Sequence, residues 1–210
     1  MNMDRSSGAA SMEKRALRVQ VRAAIARMSA SERRRCDRAI EASLTQFVSN
    51  LGPTTVLGYF ALADEVRLDG FLARMVAEGH TVCLPRVAQD GLAIRRWRPT
   101  TILSKDREGV FSPIGVEQSV EMGESGAGQA ASGRAKPLVV LPGRAFDSGG
   151  RRLGRGGGYY DRLLHTLVGR CLVVGVGYEA QIVEHVPQEA HDAPVDWIVT
   201  EHRCDRAISQ

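Results

Sequence analysis

Leu17, Val21, Ile25 and Met28 recur every three or four positions with basic residues between them, so the pattern predicts an amphipathic helix. It should begin at Met12 behind a Ser11 cap, with residues 1–10, small and polar, disordered ahead of it. Ser29 followed by Glu32 is the signature of a capping box, opening a second helix whose apolar face carries Cys36, Ile40, Leu44 and Phe47. Pro53 closes it, and beyond that point the period changes. Residues 54–62 are rich in β-formers, residues 68–78 read as a helix stopped by Gly79, and 81–87 and 93–97 read as further strands. The runs LVVL within 137–141 and LVVGV within 171–176 are short and continuously apolar, which is how strands covered on both faces are written. A last strand is expected at 197–200, on an edge of the sheet.

Strands alternating with helices predict an α/β fold: a layered, mainly parallel, Rossmann-like sheet with helices on both faces, in one domain over 11–210. The stretch GESGAGQAASGRAK does not fit a packed element and is expected to be a flexible loop at 123–136. A composition of 43% hydrophobic and 25% charged residues over 210 positions is enough to bury a core. Only 5% of residues are aromatic, too few for the stacking platforms that bind single-stranded nucleic acid. The net charge of +4 is a small excess that suits an anionic small molecule better than a polynucleotide. Cys36, Cys83, Cys171 and Cys204 form no CxxC pair, so neither a disulfide framework nor a zinc site is expected. No apolar run approaches the roughly 20 residues that span a bilayer, and the first residues lack the apolar core of a signal peptide. The expectation is a cytoplasmic monomer acting on small molecules, with neither nucleic acid nor membrane as partner.

The chemistry concentrates in LPGRAFDSGGRRLGRGGGYYDRLL, from Leu141 to Leu164. This run leaves a predicted strand, turns through a loop and enters a predicted helix at 158–167, the place where open α/β sheets bind ligands. Glycines let backbone N–H groups approach phosphate oxygens, the helix start adds partial positive charge, and Arg151, Arg152 and Arg155 supply full charge. Asp161 at the helix start is a candidate magnesium ligand. Gly149 and Gly154 match the first half of a Walker loop, but Arg155 and Gly156 stand where Lys and Ser or Thr belong, so it is not that motif. Glycines alone would read as a surface turn; joined to three arginines, two tyrosines and an aspartate they read as a phosphate site.

With these residues in view, the sequence resembles the 5-formyltetrahydrofolate cyclo-ligases, whose signature stands here as PGRAFDSGGRRLGRGGGYYDR. KRALR from Lys14, YFALADEV from Tyr59, LPRV from Leu84, and GYEAQIVEHVP with AHDAPVDWIVTE between Gly177 and Glu201 resemble the family's other segments in the right order. The resemblance implies an ATP-dependent ligase forming a C–N bond, with ATP and Mg2+ required and a folate as substrate. It implies that Lys14, Arg18 and the run Gly150, Arg151, Arg152, Leu153, Gly154, Arg155, Gly156, Gly157 and Gly158 hold ATP, with Arg152 and Arg155 nearest the transferred phosphate. It implies further that Asp161 and Asp192 hold magnesium, that Glu65 hydrogen-bonds the pterin, and that Phe60, Phe111, Tyr159 and Tyr160 line the folate pocket. The sequence departs from the family at Gly157, where a lysine is common, and in FSPIGVEQ from Phe111 to Gln118, where a Gly-Ile-x-Glu-Pro segment is usual.

Other candidates read more plainly. His191 beside Asp192 points elsewhere on most backbones and is expected at the surface, and His80, His165, His185 and His202 lack ligand spacing. Arg33, Arg34 and Arg35 form a solvated helix face, and Trp97 a packing residue. Glu65 or Asp64 could simply cap the next helix. Two alternatives to the cyclo-ligase stay open: an ATP-dependent enzyme of the same fold acting on another substrate, and a non-catalytic nucleotide-binding protein.

Overall fold

The computed structural model describes residues 3–88, 91–106, 109–114, 122 and 135–208. Its elements are α1 (Met3–Arg27), α2 (Ala30–Ser49), β1 (Thr55–Leu57), α3 (Asp69–Ala77), β2 (Thr81–Ala88), β3 (Gly91–Arg96), β4 (Leu103–Lys105), β5 (Phe111–Pro113), β6 (Leu138–Pro142), β7 (Ala145–Phe146), β8 (Arg152–Leu153), α4 (Tyr159–Thr166), β9 (Leu172–Val176), β10 (Trp197–Val199) and β11 (Cys204–Arg206). Seven strands form one sheet in the order β11-β10-β9-β6-β1-β2-β3. The inner pairs are parallel, and the two outermost, β2 with β3 and β10 with β11, are antiparallel. The first half of the chain winds outward from β1 and the second half outward from β6 in the opposite direction. The sheet therefore reverses between β1 and β6, and the crevice at the carboxyl ends of these two strands is where such sheets receive ligands.

Side-chain alternation sends each strand's residues to two separate cores. Val56, Val82, Val140, Val174 and Val199 meet Val21 and Ile25 of α1, Ile40, Leu44 and Val48 of α2, and Phe71, Leu72 and Met75 of α3. Leu57, Cys83, Val139, Leu141, Val173 and Ile198 face the other way, against Leu164 of α4. The expected helices on both faces are present, among the described residues three on one side and one on the other. Leu44, with no exposed surface, would cost about 2–5 kcal/mol if cut to alanine. The predicted box on α2 is formed: the Ser29 hydroxyl accepts from the Glu32 N–H at 3.2 Å, and Glu32 accepts from the Ser29 N–H at 2.7 Å.

Three expectations shift. α1 begins at Met3, not at Met12. Its first turns include Ala9 and Ala10 and no proline, and extending an existing helix is far cheaper than starting one. The strand expected at 54–62 ends at Leu57; Gly58 makes one last bond, to the Cys83 carbonyl at 3.0 Å, and packs so close to α3 that a Cβ there would sit 2.5 Å from Leu72 Cδ2. The strand near 197–200 is not the edge; β11 pairs outside it, short and polar as edges tend to be. The loop expected at 123–136 lies outside the described residues except for Ala135 and Lys136, whose carbonyls stand 3.5 and 2.7 Å from the Thr54 hydroxyl. All four cysteines are free thiols, and burial pushes the Cys83 thiol up to about 12. Among the described residues no helix is long and apolar enough to cross a membrane.

Candidate active site

Two loops build a cleft of about 320 Å³ at the reversal point. The chain after β1 contributes Tyr59, Phe60, Leu62 and Glu65; the chain after β6 contributes Gly143, Arg152, Gly154 to Gly158, and Tyr159, Tyr160 and Asp161 at the start of α4. Phe111 closes the far side. Its ring stands edge-on to Phe60 at 6.5 Å, and Phe60 in turn rests edge-on against buried Trp97 at 5.5 Å. Trp97 is thus a packing residue, as read from the sequence, and one wall of the cleft is aromatic.

The loop after β6 is shaped by a residue that sequence reading did not assign. Asp147, fully buried, accepts from the N–H groups of Gly149 and Arg151 at 3.0 and 3.1 Å, from Arg151 Nε at 2.7 Å, and from the Val186 N–H at 2.8 Å. It winds the chain around itself so that Arg152 is launched toward the cleft. Gly150 completes the turn at φ 80°, where any Cβ would strike the Val195 carbonyl at 2.4 Å. Gln181, also buried, donates to the carbonyls of Gly143 and Arg144 at 2.7 and 3.2 Å and fixes the first turn after β6. Phe146 sits beneath all this with its ring against Gly143, Gly175 and Gly177, where a Cβ would approach it to 2.5, 2.4 and 3.1 Å. Only the Pro-Gly-x-Ala-Phe-Asp spelling hinted at these roles.

Arg152 and Arg155 enter the cleft differently. The Arg152 side chain is 3% exposed, with Nη2 donating to Asp161 Oδ1 at 2.7 Å and its guanidinium 6.0 Å from the Tyr160 ring centre. The Arg155 side chain is 47% exposed and reaches across to the opposite loop, with Nη1 3.2 Å from Glu65 Oε1 and 3.7 Å from Asp64 Oδ1. Asp64 is also clasped by Arg144; burial works to raise its carboxyl, but the two arginines prevail and hold it below the usual range. Glu65 does not cap α3. Its Oε2 accepts the Leu62 N–H at 2.9 Å and its Oε1 faces the cleft. Burial, and then the Glu65 charge, push the Tyr160 hydroxyl well above its ordinary value, so it enters the cleft as a neutral group.

The remaining predicted residues divide. Gly150, Arg151 and Leu153 do not line the cleft: Gly150 packs against Val195, Arg151 is turned back onto Asp147, and Leu153 belongs to the core. Arg18 supports the glycine loop from behind, its Nε donating to the Gly154 carbonyl at 2.9 Å. Lys14 is buried and bonded to Glu189 at 2.6 Å and Asp192 at 2.5 Å. Burial works to lower the Lys14 ammonium, but the two carboxylates outweigh it and hold it above its usual value. Burial likewise works to raise Asp192, while Lys14 and the Glu189 N–H win and hold it low.

Asp161 and Asp192 lie near each other in the fold, since the Ala193 N–H points at Asp161 Oδ1 from 3.4 Å. The hydrogen bonds to Asp161 engage Oδ1, and those to Asp192 engage Oδ2. The other Asp192 oxygen, Oδ1, lies 3.8 Å from His191 Nε2. The two aspartates fit magnesium, which takes one or two carboxylates and fills its shell with phosphate oxygens and water. Ligand atoms of Glu189, His191 and Asp192 also lie within 4.8 Å of one another, with the Lys14 ammonium bonded to both acids.

Comparison with known proteins agrees with this geometry. The 5-formyltetrahydrofolate cyclo-ligase of Haemophilus influenzae is 23% identical over 184 residues, covering 85% of this chain and 92% of that protein. The mouse protein of the same name is 25% identical over 198 residues, covering 90% and 93%. Among solved structures, 5,10-methenyltetrahydrofolate synthetase of Aquifex aeolicus is 30% identical, covers 92% of each chain and superposes with a TM-score of 0.75. The synthetase of Mycoplasma pneumoniae, 23% identical over 90% of this chain and 98% of its own, has the same fold with a TM-score of 0.66. A family model matches residues 10–201, nearly the full length and both walls of the cleft, and on that ground the chain belongs to the 5-formyltetrahydrofolate cyclo-ligase family.

Proposed function

We propose that this protein uses ATP and magnesium to cyclise 5-formyltetrahydrofolate to 5,10-methenyltetrahydrofolate, releasing ADP and phosphate. One observation carries the reading. A wall of glycine amides with Arg152 and Arg155, suited to phosphate, faces a wall of Phe60, Phe111 and Glu65, suited to a flat heterocycle with N–H donors. Donor and acceptor of a phosphoryl group can therefore meet in one cleft.

In this reading the formyl oxygen attacks the γ-phosphorus and ADP leaves. N10 of the folate then attacks the activated formyl carbon, its proton is lost, and phosphate departs as the five-membered ring closes. Little covalent chemistry falls to the protein, so positioning and charge neutralisation dominate. Arg152, locked by Asp161, offers fixed positive charge to the transferred group. Gly154 to Gly158 present backbone to the phosphates, and Arg18 holds that loop in place. Glu65 accepts hydrogen bonds from the pterin between the aromatic rings. Magnesium, held by Asp161 and Asp192 together with phosphate oxygens and water, would neutralise phosphate charge.

The test is direct. Purified protein supplied with 5-formyltetrahydrofolate, ATP and magnesium should form a product absorbing in the near ultraviolet, with one ADP per product. ATP turnover without folate conversion would point to a different substrate, and nucleotide binding without turnover would end the enzymatic reading.

A further inference from the structure

The two ligands of the proposed reaction compete, before either arrives, for one contact. Arg155 Nη1 and Glu65 Oε1 lie 3.2 Å apart, joining residues 90 positions distant in sequence across the mouth of the cleft. The other Glu65 oxygen is bound to the Leu62 N–H at 2.9 Å, so the oxygen that faces the cleft is the one Arg155 covers. The Glu65 side chain is 7% exposed, and it has no room to turn away and present itself elsewhere. Arg155 differs: it is half exposed and flanked by Gly154 and by Gly156 at φ 108°, a backbone free to reorient. Arg152, three residues earlier, is the contrasting case, buried and pinned.

We infer that Arg155 is a coupling residue, bound to Glu65 in the empty enzyme and transferred to the nucleotide phosphates when ATP enters, which uncovers Glu65 for the pterin. This rests on the function proposed above and adds its consequence: nucleotide and folate bind cooperatively, through a guanidinium that changes partners. Arg155 leaves Glu65, and the Asp64 oxygen 3.7 Å away, for the phosphate anions; Asp64 retains Arg144, and Glu65 exchanges a cationic donor for neutral N–H donors. By linkage the effect is reciprocal, with each ligand tightening the other by the same factor.

Calorimetric titration with 5-formyltetrahydrofolate, with and without a non-hydrolysable ATP analogue, measures that factor. In the wild-type chain the analogue should tighten folate binding by about tenfold, within the ordinary range of such couplings. Arg155→Ala should bind folate alone at least as tightly as wild type, bind the analogue more weakly, and show a factor near one. Glu65→Gln, which keeps an acceptor for the Leu62 N–H but loses the charge, should also bring the factor near one while leaving analogue binding undiminished. A merely structural Arg155 would weaken folate binding when removed. That result, or a factor that persists in Arg155→Ala, overturns the coupling role. A factor of one in wild type with folate bound overturns it and leaves the proposed activity standing, whereas no folate binding at all overturns both.

Discussion

Arg152 is worth the most scrutiny among single residues because its burial and its charge pull in opposite directions. Among the described residues its hydrogen bonds go to Asp161 and, at 3.5 Å, to the Pro142 carbonyl, and its Nε has no hydrogen-bond partner. Removing Asp161 would leave a buried guanidinium uncompensated, so Asp161→Ala should lose roughly 3 kcal/mol of stability along with its activity, as read by denaturant titration. Arg152→Lys keeps the charge but not the planar fork, and kcat should fall by about 10²-fold or more while the melting temperature changes little. A variant with full kcat would remove Arg152 from the phosphate site. These pairings could not be read from spacing. Arg152 and Asp161 share one motif, but nothing in it says that one neutralises the other, and Arg155 meets a glutamate on a different loop.

At the scale of elements, what was legible was whatever is local. The Ser29–Glu32 box, the Gly79 stop and the apolar runs of β6 and β9 are written within a few residues of one another. β4, β5, β7, β8 and β11 are two or three residues long, too short to show any period, and they exist because of partners far along the chain. The tight seat of Phe146 gives this scale its test. Gly175→Ala drives a methyl to 2.4 Å from the ring, in the middle of the sheet, and should cost about 1–3 kcal/mol. Gly158, left-handed at φ 63° as the cap of α4, should cost about 1–2 kcal/mol as alanine and weaken nucleotide binding as well, since it lines the cleft. Equal stability of either variant in urea would mean that the backbone there is more yielding than its contacts imply.

Across the whole molecule, Lys14 with Glu189 and Asp192 fastens the first helix to the last long loop, bridging 178 positions. The Lys14 ammonium is raised, so its contribution is complete below the ordinary lysine value and is lost as pH climbs through the higher folded value. Asp192 is lowered, so its contribution is complete above the ordinary carboxylate value and is lost as pH falls through the lower folded one. Melting temperature should therefore be flat from about pH 4 to about pH 10 as far as this bridge is concerned, and decline outside those limits. Lys14→Met should lower the plateau by roughly 2 kcal/mol and soften both declines; unchanged limbs would assign the pH response to other groups. The reversal of the sheet between β1 and β6 has a last implication, for how such an enzyme can diversify. The stretch at 58–65, with Phe111, bears the groups that would recognise the organic substrate, and the stretch at 143–161 those that would handle phosphate. Because they hang from different strands, descendants could exchange what they activate by rewriting the first and inheriting the second intact, provided a carboxylate is kept where Arg155 reaches across.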